Sequence, residues 1–316
     1  MLLDAPLVSL RALEHRIGIG RRKLQEVAEA AGSYYEPFDR RKSPLRDSWR
    51  HIDNPVGDLK TVQKAIARQL FREIQLPPSL TGGLAGTSIQ LNARPHLQHQ
   101  VVVCLDLEDF FPSLNNERVL RVVRSQFGCS SGIASLLTKL VTFERRLPQG
   151  AATSSFVANL CMVEVVRDLC EFSATARLAL TCYVDDITIS GENADEGIGG
   201  VIGILSKHGL RVSRRKLSIL RGHEAQVVTG VSVNRRQGVP RPTMDRYRRF
   251  INDLACAERV SELDLQRARG YVSHARALSA GQGAYLQRRL DRAPSKGQSA
   301  AASPIDRDLF RPCSSF

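Results

Sequence analysis

The chain has 316 residues, 42% of them hydrophobic, and a formal net charge of +13 with a pI near 9.8, so it can bury a sizeable core and its excess of cations points to a polyanionic partner. No stretch approaches the roughly twenty apolar residues of a membrane span, and Met1 to Leu13 lack a basic region followed by a long apolar core, so a cytosolic protein with no membrane partner is expected. The seven cysteines are odd in number and lack any Cys-x-x-Cys spacing, which excludes a disulfide framework or a zinc ribbon and leaves reduced, mostly buried thiols.

Residues 1–34 read as amphipathic helices, with Leu10, Leu13 and Ile17, then Leu24, Val27 and Ala28, at helical spacing. The polar, proline-containing stretch from Glu36 to Asp58 suits mobile strands, and a helix over Leu59 to Gln75 ends at Pro77-Pro78. After a loop at Gly82-Gly83, the run Gln100 to Leu105 is almost unbroken in its apolar character and predicts a fully buried strand that delivers Asp106 to its rim. Pro112, Asn115 and Asn116 then break the chain before a helix carrying Val119, Leu120, Val122, Val123 and Phe127. Further on, the β-branched and aromatic flanks Leu178 to Tyr183 and Ile187 to Ser190 predict a hairpin whose loop is the pair Asp185-Asp186. Gly199-Gly200 reads as a loop, and Val231 to Asn234 alternates like a strand. Beyond Val233 the chain turns arginine-rich and helical: Tyr247, Phe250, Ile251 and Leu254 share one face, and a second helix covers Glu262 to Leu278. The segment from Ala293 to Pro304, rich in Ser, Ala, Gly and Pro, reads as a flexible tail. No internal repeat is present.

The two acidic segments carry the chemistry. Adjacent carboxylates repel, so Asp185-Asp186 on a turn calls for a divalent cation or a basic partner, although a solvated Asp-Asp turn is the plain alternative for these letters alone. Asp106, arriving from another strand end, makes three carboxylates around one point, a donor set that favours magnesium or manganese over zinc. Two such ions suit phosphoryl transfer: one activates an attacking hydroxyl and the other steadies a leaving pyrophosphate. A structural calcium loop or an acidic surface cluster is the competing reading.

Between the acidic segments lies Leu147-Pro148-Gln149-Gly150, followed by Ala151-Ala152-Thr153-Ser154-Ser155. The order Asp106 to Phe111, then Pro-Gln-Gly, then Tyr183-Val184-Asp185-Asp186 resembles a reverse transcriptase. The resemblance implies an α+β right-hand polymerase with fingers, antiparallel-sheet palm and helical thumb. It implies N-terminal helices over 1–34, fingers over 35–86, palm and remaining fingers over 87–233, a basic thumb over 234–292 and a tail over 293–316. Asp106, Asp185 and Asp186 would be catalytic and bind two Mg2+ ions, with Mn2+ as a substitute, and Leu107 would add a backbone carbonyl. For the nucleotide, Phe111 would be the steric gate beneath the sugar, Gln149 would face the template-nucleotide pair, Arg50 would grip phosphates and Lys216 would neutralise or protonate the pyrophosphate. Charge patterning alone favours reading Lys216 as part of a solvated basic run, and fits Arg50 equally well as an ordinary surface arginine. The chain departs from the family pattern after the turn, where two usual prolines are missing, and at Ser213, where asparagine is common.

Two further segments narrow the likeness to the bacterial retron type: Asn92-Ala93-Arg94-Pro95-His96 matches an Asn-Ala-x-x-His pattern, and Val228-Thr229-Gly230 a Val-Thr-Gly triplet. The resemblance implies RNA contacts from Asn92, His96, Val228, Thr229 and Gly230, and from the thumb arginines Arg246, Arg248 and Arg249; His96 also fits a satisfied structural histidine. It further implies a cognate structured noncoding RNA as template and primer, an RNA-linked DNA product begun from a 2′-hydroxyl, and anti-phage defence with a separate effector protein. Group II intron and diversity-generating reverse transcriptases share the catalytic motifs, and a non-catalytic RNA-binding scaffold shares the charge. The retained Pro-Gln-Gly turn and the short length favour the retron type over those enzymes, and the three aspartates argue against the scaffold.

Overall fold

The computed structural model describes residues 6–43, 46–71, 74–257 and 260–292. The tail expected from Ala293 onward lies outside the described residues. Two short helices begin the chain, α1 (Leu10–Ile17) and α2 (Arg21–Glu29). Ser9 caps α1 by accepting from the Ala12 N–H, and Gly18 ends it in the left-handed conformation at φ 69°, which costs glycine little. Strands β1 (Tyr35–Ser43) and β2 (Arg46–Pro55) form an isolated antiparallel hairpin in the polar stretch expected to hold strands. Helix α3 (Gly57–Ala65) follows and runs into a π-helical turn over Ile66–Leu70.

The central sheet has four antiparallel strands, built on the run that ends in Asp106. After α4 (Ile89–Ala93), strand β3 (Val101–Asp106) pairs with β5 (Asp186–Gly191) on one side and β6 (Ser218–Arg221) on the other, while β4 (Ala179–Tyr183) pairs with the outer edge of β5. The unbroken apolar character of β3 has a tertiary cause. Val101, Val103 and Leu105 enter the main core, whereas Val102 enters a second core on the opposite face. Each such side chain stabilises the fold by roughly 1.5–3 kcal/mol.

The main core is closed by α5 (Phe110–Ser113), α6 (Asn116–Phe127), α7 (Ser131–Val141), α8 (Ser154–Thr175) and α9 (Ile198–Lys207). Asn115 caps α6 through the Arg118 N–H at 2.9 Å, so the residue read as a breaker is the helix start. The 22-residue α8 buries Val157, Leu160, Val165, Val166 and Leu169 as a core helix. Gly199-Gly200, expected as a loop, lies inside α9: at Gly200 a Cβ would meet the Phe172 ring at 2.3 Å, so the glycine lets α8 and α9 approach.

The second core joins the C-terminal helices α10 (Arg241–Cys256), α11 (Glu262–Leu278) and α12 (Ala280–Leu290) to the back of the sheet. A small hairpin, β7 (Val227–Val228) and β8 (Val231–Ser232), packs with these helices, as does Ala93 from α4. Among the described residues no helix is long and apolar enough to cross a membrane. The described cysteines are all free thiols, with Cys129, Cys161 and Cys182 buried and Cys256 exposed.

Candidate active site

The central hairpin differs from expectation in one respect. Tyr183 pairs with Asp186, so the loop is Val184-Asp185 and Asp186 is the first residue of β5. Asp186 also sits opposite Asp106 in the β3–β5 ladder, which is why it remains in the strand rather than the turn. Val184 takes φ 60°, a left-handed conformation that strains a β-branched residue. Gly82 packs directly against this turn. A Cβ at Gly82 would stand 2.4 Å from the Val184 nitrogen, and the Gly82 carbonyl accepts from Asn159 of α8 at 2.7 Å.

The three aspartates meet at these strand ends. Leu107 donates its N–H to the Asp185 carbonyl at 3.0 Å, tying the segment after β3 to the turn. Burial among protein atoms pushes the Asp186 carboxyl up to about 7 even though solvent reaches the residue, and Asp185 and Asp106 add to the shift. The Asp185 carboxyl is likewise raised, first by burial and then by Asp106, against the pull of Lys216 and Arg50. Clustered anions of this kind, with carboxylate oxygens as donors, fit a hard divalent cation, which would relieve their repulsion. The expected gathering of three side chains around one ion is not present, however: among the described residues no three acidic, His or Cys groups are placed to hold a metal as they stand. Asp106 is instead turned to Lys216, whose Nζ lies 2.5 Å from Oδ1, because an ammonium is a better neighbour than two further carboxylates.

Lys216 reaches that position because its segment is laid along the end of β3: Ser213 donates to the Asp106 carbonyl at 2.8 Å and Glu108 to that of Arg211 at 2.8 Å. Arg50 faces Arg40 on the β1–β2 hairpin, near enough to act on Asp185. Phe111 is half-buried and packs edge-on against Phe110 at 5.6 Å. Gln149 lies against β2: its N–H donates to Asp53 Oδ2 at 3.0 Å and its carbonyl accepts from the Asp53 N–H at 2.9 Å. Asp53, fully buried, also receives Arg146 at 2.8 and 3.3 Å. Neither Asp53 nor Arg146 stands out in the sequence; the only available signal was a carboxylate inside a strand and an arginine just before the Pro-Gln-Gly turn.

The residues expected to touch RNA divide into two groups. His96 is 0% exposed, with Nδ1 2.7 Å from Ser190 Oγ and Nε2 2.8 Å from Thr181 Oγ1. Both ring nitrogens are consumed inside the protein, so His96 is a structural histidine whose pKa burial lowers to about 3. Asn92 is buried too, accepting from Thr81 Oγ1 at 2.6 Å and donating to Thr229 Oγ1 at 3.1 Å, and Val228 belongs to the second core. These three are turned into the protein: Asn92 joins α4 and the β7–β8 turn to Thr81, which bonds the Cys182 backbone beneath the aspartate hairpin, and His96 ties the segment after α4 to β4 and β5. Gly230 is exposed, Thr229 half-buried, and the turn places both at positive φ. Arg248 and Arg249 face solvent, Arg248 beside Asp245 at 3.0 Å. Arg246 is drawn inward, its guanidinium 5.6 Å from the centre of the Tyr247 ring, which itself stacks on Tyr271 at 4.2 Å.

Residues 40–268 match the family model described as reverse transcriptase (RNA-dependent DNA polymerase). The chain is similar to the retron Se72 reverse transcriptase of Salmonella heidelberg, 30% identical over 79% of this chain and 67% of that one. It is also similar to the retron Ec86 reverse transcriptase of Escherichia coli, 28% identical over 71% of this chain and 70% of that one, and to the retron Mx65 enzyme of Myxococcus xanthus, 30% identical over 76% and 61%. Among solved structures, a foamy viral protease-reverse transcriptase in complex with double-stranded DNA aligns with a TM-score of 0.48 at 18% identity, covering 81% of this chain and 43% of the other.

Proposed function

The chain belongs to the reverse transcriptase family of RNA-dependent DNA polymerases, with retron enzymes among its relatives, and from that premise we propose that it copies part of a structured noncoding RNA into a small RNA-linked DNA. The observation that carries the catalytic assignment is the convergence of Asp106, Asp185 and Asp186 at facing strand ends, where burial first and the Asp106 charge after it raise the pKa values of Asp185 and Asp186. These residues and the Leu107 carbonyl would hold magnesium, or manganese in its place, which when bound lowers the pKa of an attacking hydroxyl and steadies the departing pyrophosphate.

The chain's own groups do the rest. The β1–β2 hairpin acts as fingers, with Arg50 gripping nucleotide phosphates through a planar fork. Phe111, held by Phe110, fills the volume a 2′-hydroxyl would need. Gln149 meets the template-nucleotide pair, and Lys216 supplies charge or a proton to the pyrophosphate. The helices α10 to α12 act as a thumb, where the exposed Arg248 and Arg249 grip RNA phosphates. The retron likeness extends the reading to priming from a 2′-hydroxyl and to anti-phage defence with a separate effector.

Co-expression with the adjoining noncoding RNA tests this. A short, RNase-resistant DNA is expected from the native chain and none from the Asp185→Asn, Asp186→Asn double variant. A variant that still makes the DNA refutes the catalytic assignment; a native chain that extends primers but yields no RNA-linked DNA refutes the retron reading.

A further inference from the structure

The Pro-Gln-Gly turn is not a free loop. Gln149 and Asp53 exchange backbone and side-chain hydrogen bonds in both directions, at 2.9 and 3.0 Å. At Gly150, with φ 129°, a Cβ would meet Ile52 Cγ2 at 2.8 Å and the Asp53 carbonyl oxygen at 3.3 Å, so the turn is pressed directly onto β2. The Asp53 carboxylate is 0% exposed, yet both its oxygens are engaged: Oδ2 takes Arg146 Nη1 at 2.8 Å and the Gln149 N–H, and Oδ1 takes Arg146 Nη2 at 3.3 Å with His51 Nε2 at 3.5 Å. Arg146 is fixed in turn by Glu144 at 3.2 Å, and His51 by Asp39 at 2.9 Å. A planar guanidinium bound through two nitrogens fixes direction as well as distance.

We propose that Asp53 is a positioning residue for the nucleotide site: with Arg146 it locks the Pro-Gln-Gly turn to the β1–β2 hairpin and so sets where Gln149 meets the incoming nucleotide. The inference rests on the assignment of Gln149 to that site. The lock uses only the Gln149 backbone, leaving its side chain for the ligand. It also spans the two elements that would hold opposite sides of the nucleotide, because the same strand carries Arg50 three residues before Asp53. Loosening it shifts both sides relative to one another, and displacements of about 1 Å at a reacting centre are costly.

The test is steady-state primer extension on a fixed RNA template by Asp53→Asn, Arg146→Lys and Gln149→Ala, with template-primer affinity and thermal unfolding measured for each. Asp53→Asn removes the charge, and Arg146→Lys keeps the charge but loses the fork, which makes it the milder change to the fold. Both are expected to raise the dNTP KM on the order of tenfold while kcat stays within about threefold and template-primer affinity is unchanged. If both variants melt earlier but keep the native dNTP KM, the ion pair is only structural and the proposal falls. If Gln149→Ala raises KM while the other two do not, the nucleotide-site reading stands and the role of Asp53 is rejected. If Gln149→Ala leaves KM unchanged, the nucleotide-site reading itself fails and takes the inference with it.

Discussion

Replacing His96 isolates a pH dependence that the fold builds beneath its aspartate hairpin. The ring sits between Ser190 of β5 and Thr181 of β4, at 2.7 and 2.8 Å, with no exposed surface. Burial, aided by His99, lowers its pKa from 6.5 to about 3. The folded state therefore keeps the ring neutral where the unfolded chain already binds a proton. Its stability is fully present above about pH 6.5 and declines as the pH falls toward about 3. At 1.36 kcal/mol per unit, the loss is about 2 kcal/mol at pH 5 and roughly 4–5 kcal/mol at full protonation, as orders of magnitude. Urea unfolding of the native chain and of His96→Gln between pH 7.5 and 5 measures it. The variant, which keeps one donor and one acceptor but no ionisable ring, is expected to start less stable and to lose about 2 kcal/mol less over that range. Parallel pH profiles for the two proteins would refute the assignment of His96 as a buried neutral residue.

Gly82→Ala is expected to cut polymerase activity on the order of a hundredfold while leaving most of the fold intact, since the added methyl would stand 2.4 Å from the Val184 nitrogen and displace the aspartate hairpin; primer extension beside circular dichroism checks this. Asn92→Ala removes the bond to Thr229 and leaves the Thr81 hydroxyl with one partner fewer, so unfolding free energy should fall by about 1–3 kcal/mol. RNA affinity measured below the unfolding transition should stay near native. A selective loss of RNA binding in a fully folded Asn92→Ala protein would restore the direct-contact role expected from the motif.

Much of the local structure was legible in the sequence because its causes are local. The apolar run of β3, the flanks of the β4–β5 hairpin, the face formed by Tyr247, Ile251 and Leu254 and the helix from Glu262 to Leu278 are all periodic patterns that a short window reveals. Where a short window failed, the reason lay outside it. Gly199-Gly200 looked like a loop, yet Phe172 of α8 requires the small residue inside a helix. Asp186 looked like a turn residue, yet pairing with Asp106 holds it in β5.

The sequence alone determined the order of the acidic segments and the turn between them, and with these the family, because motif chemistry is carried by residue type and spacing. The tertiary structure alone decided which charges meet. Asp53 and Arg146 are 93 residues apart and Lys216 lies 110 residues from Asp106, so nothing in either neighbourhood announces the pair. It also turned Asn92 and His96 from expected ligand contacts into buried joints, because only folding shows which hydrogen-bonding groups have already been used by the protein itself.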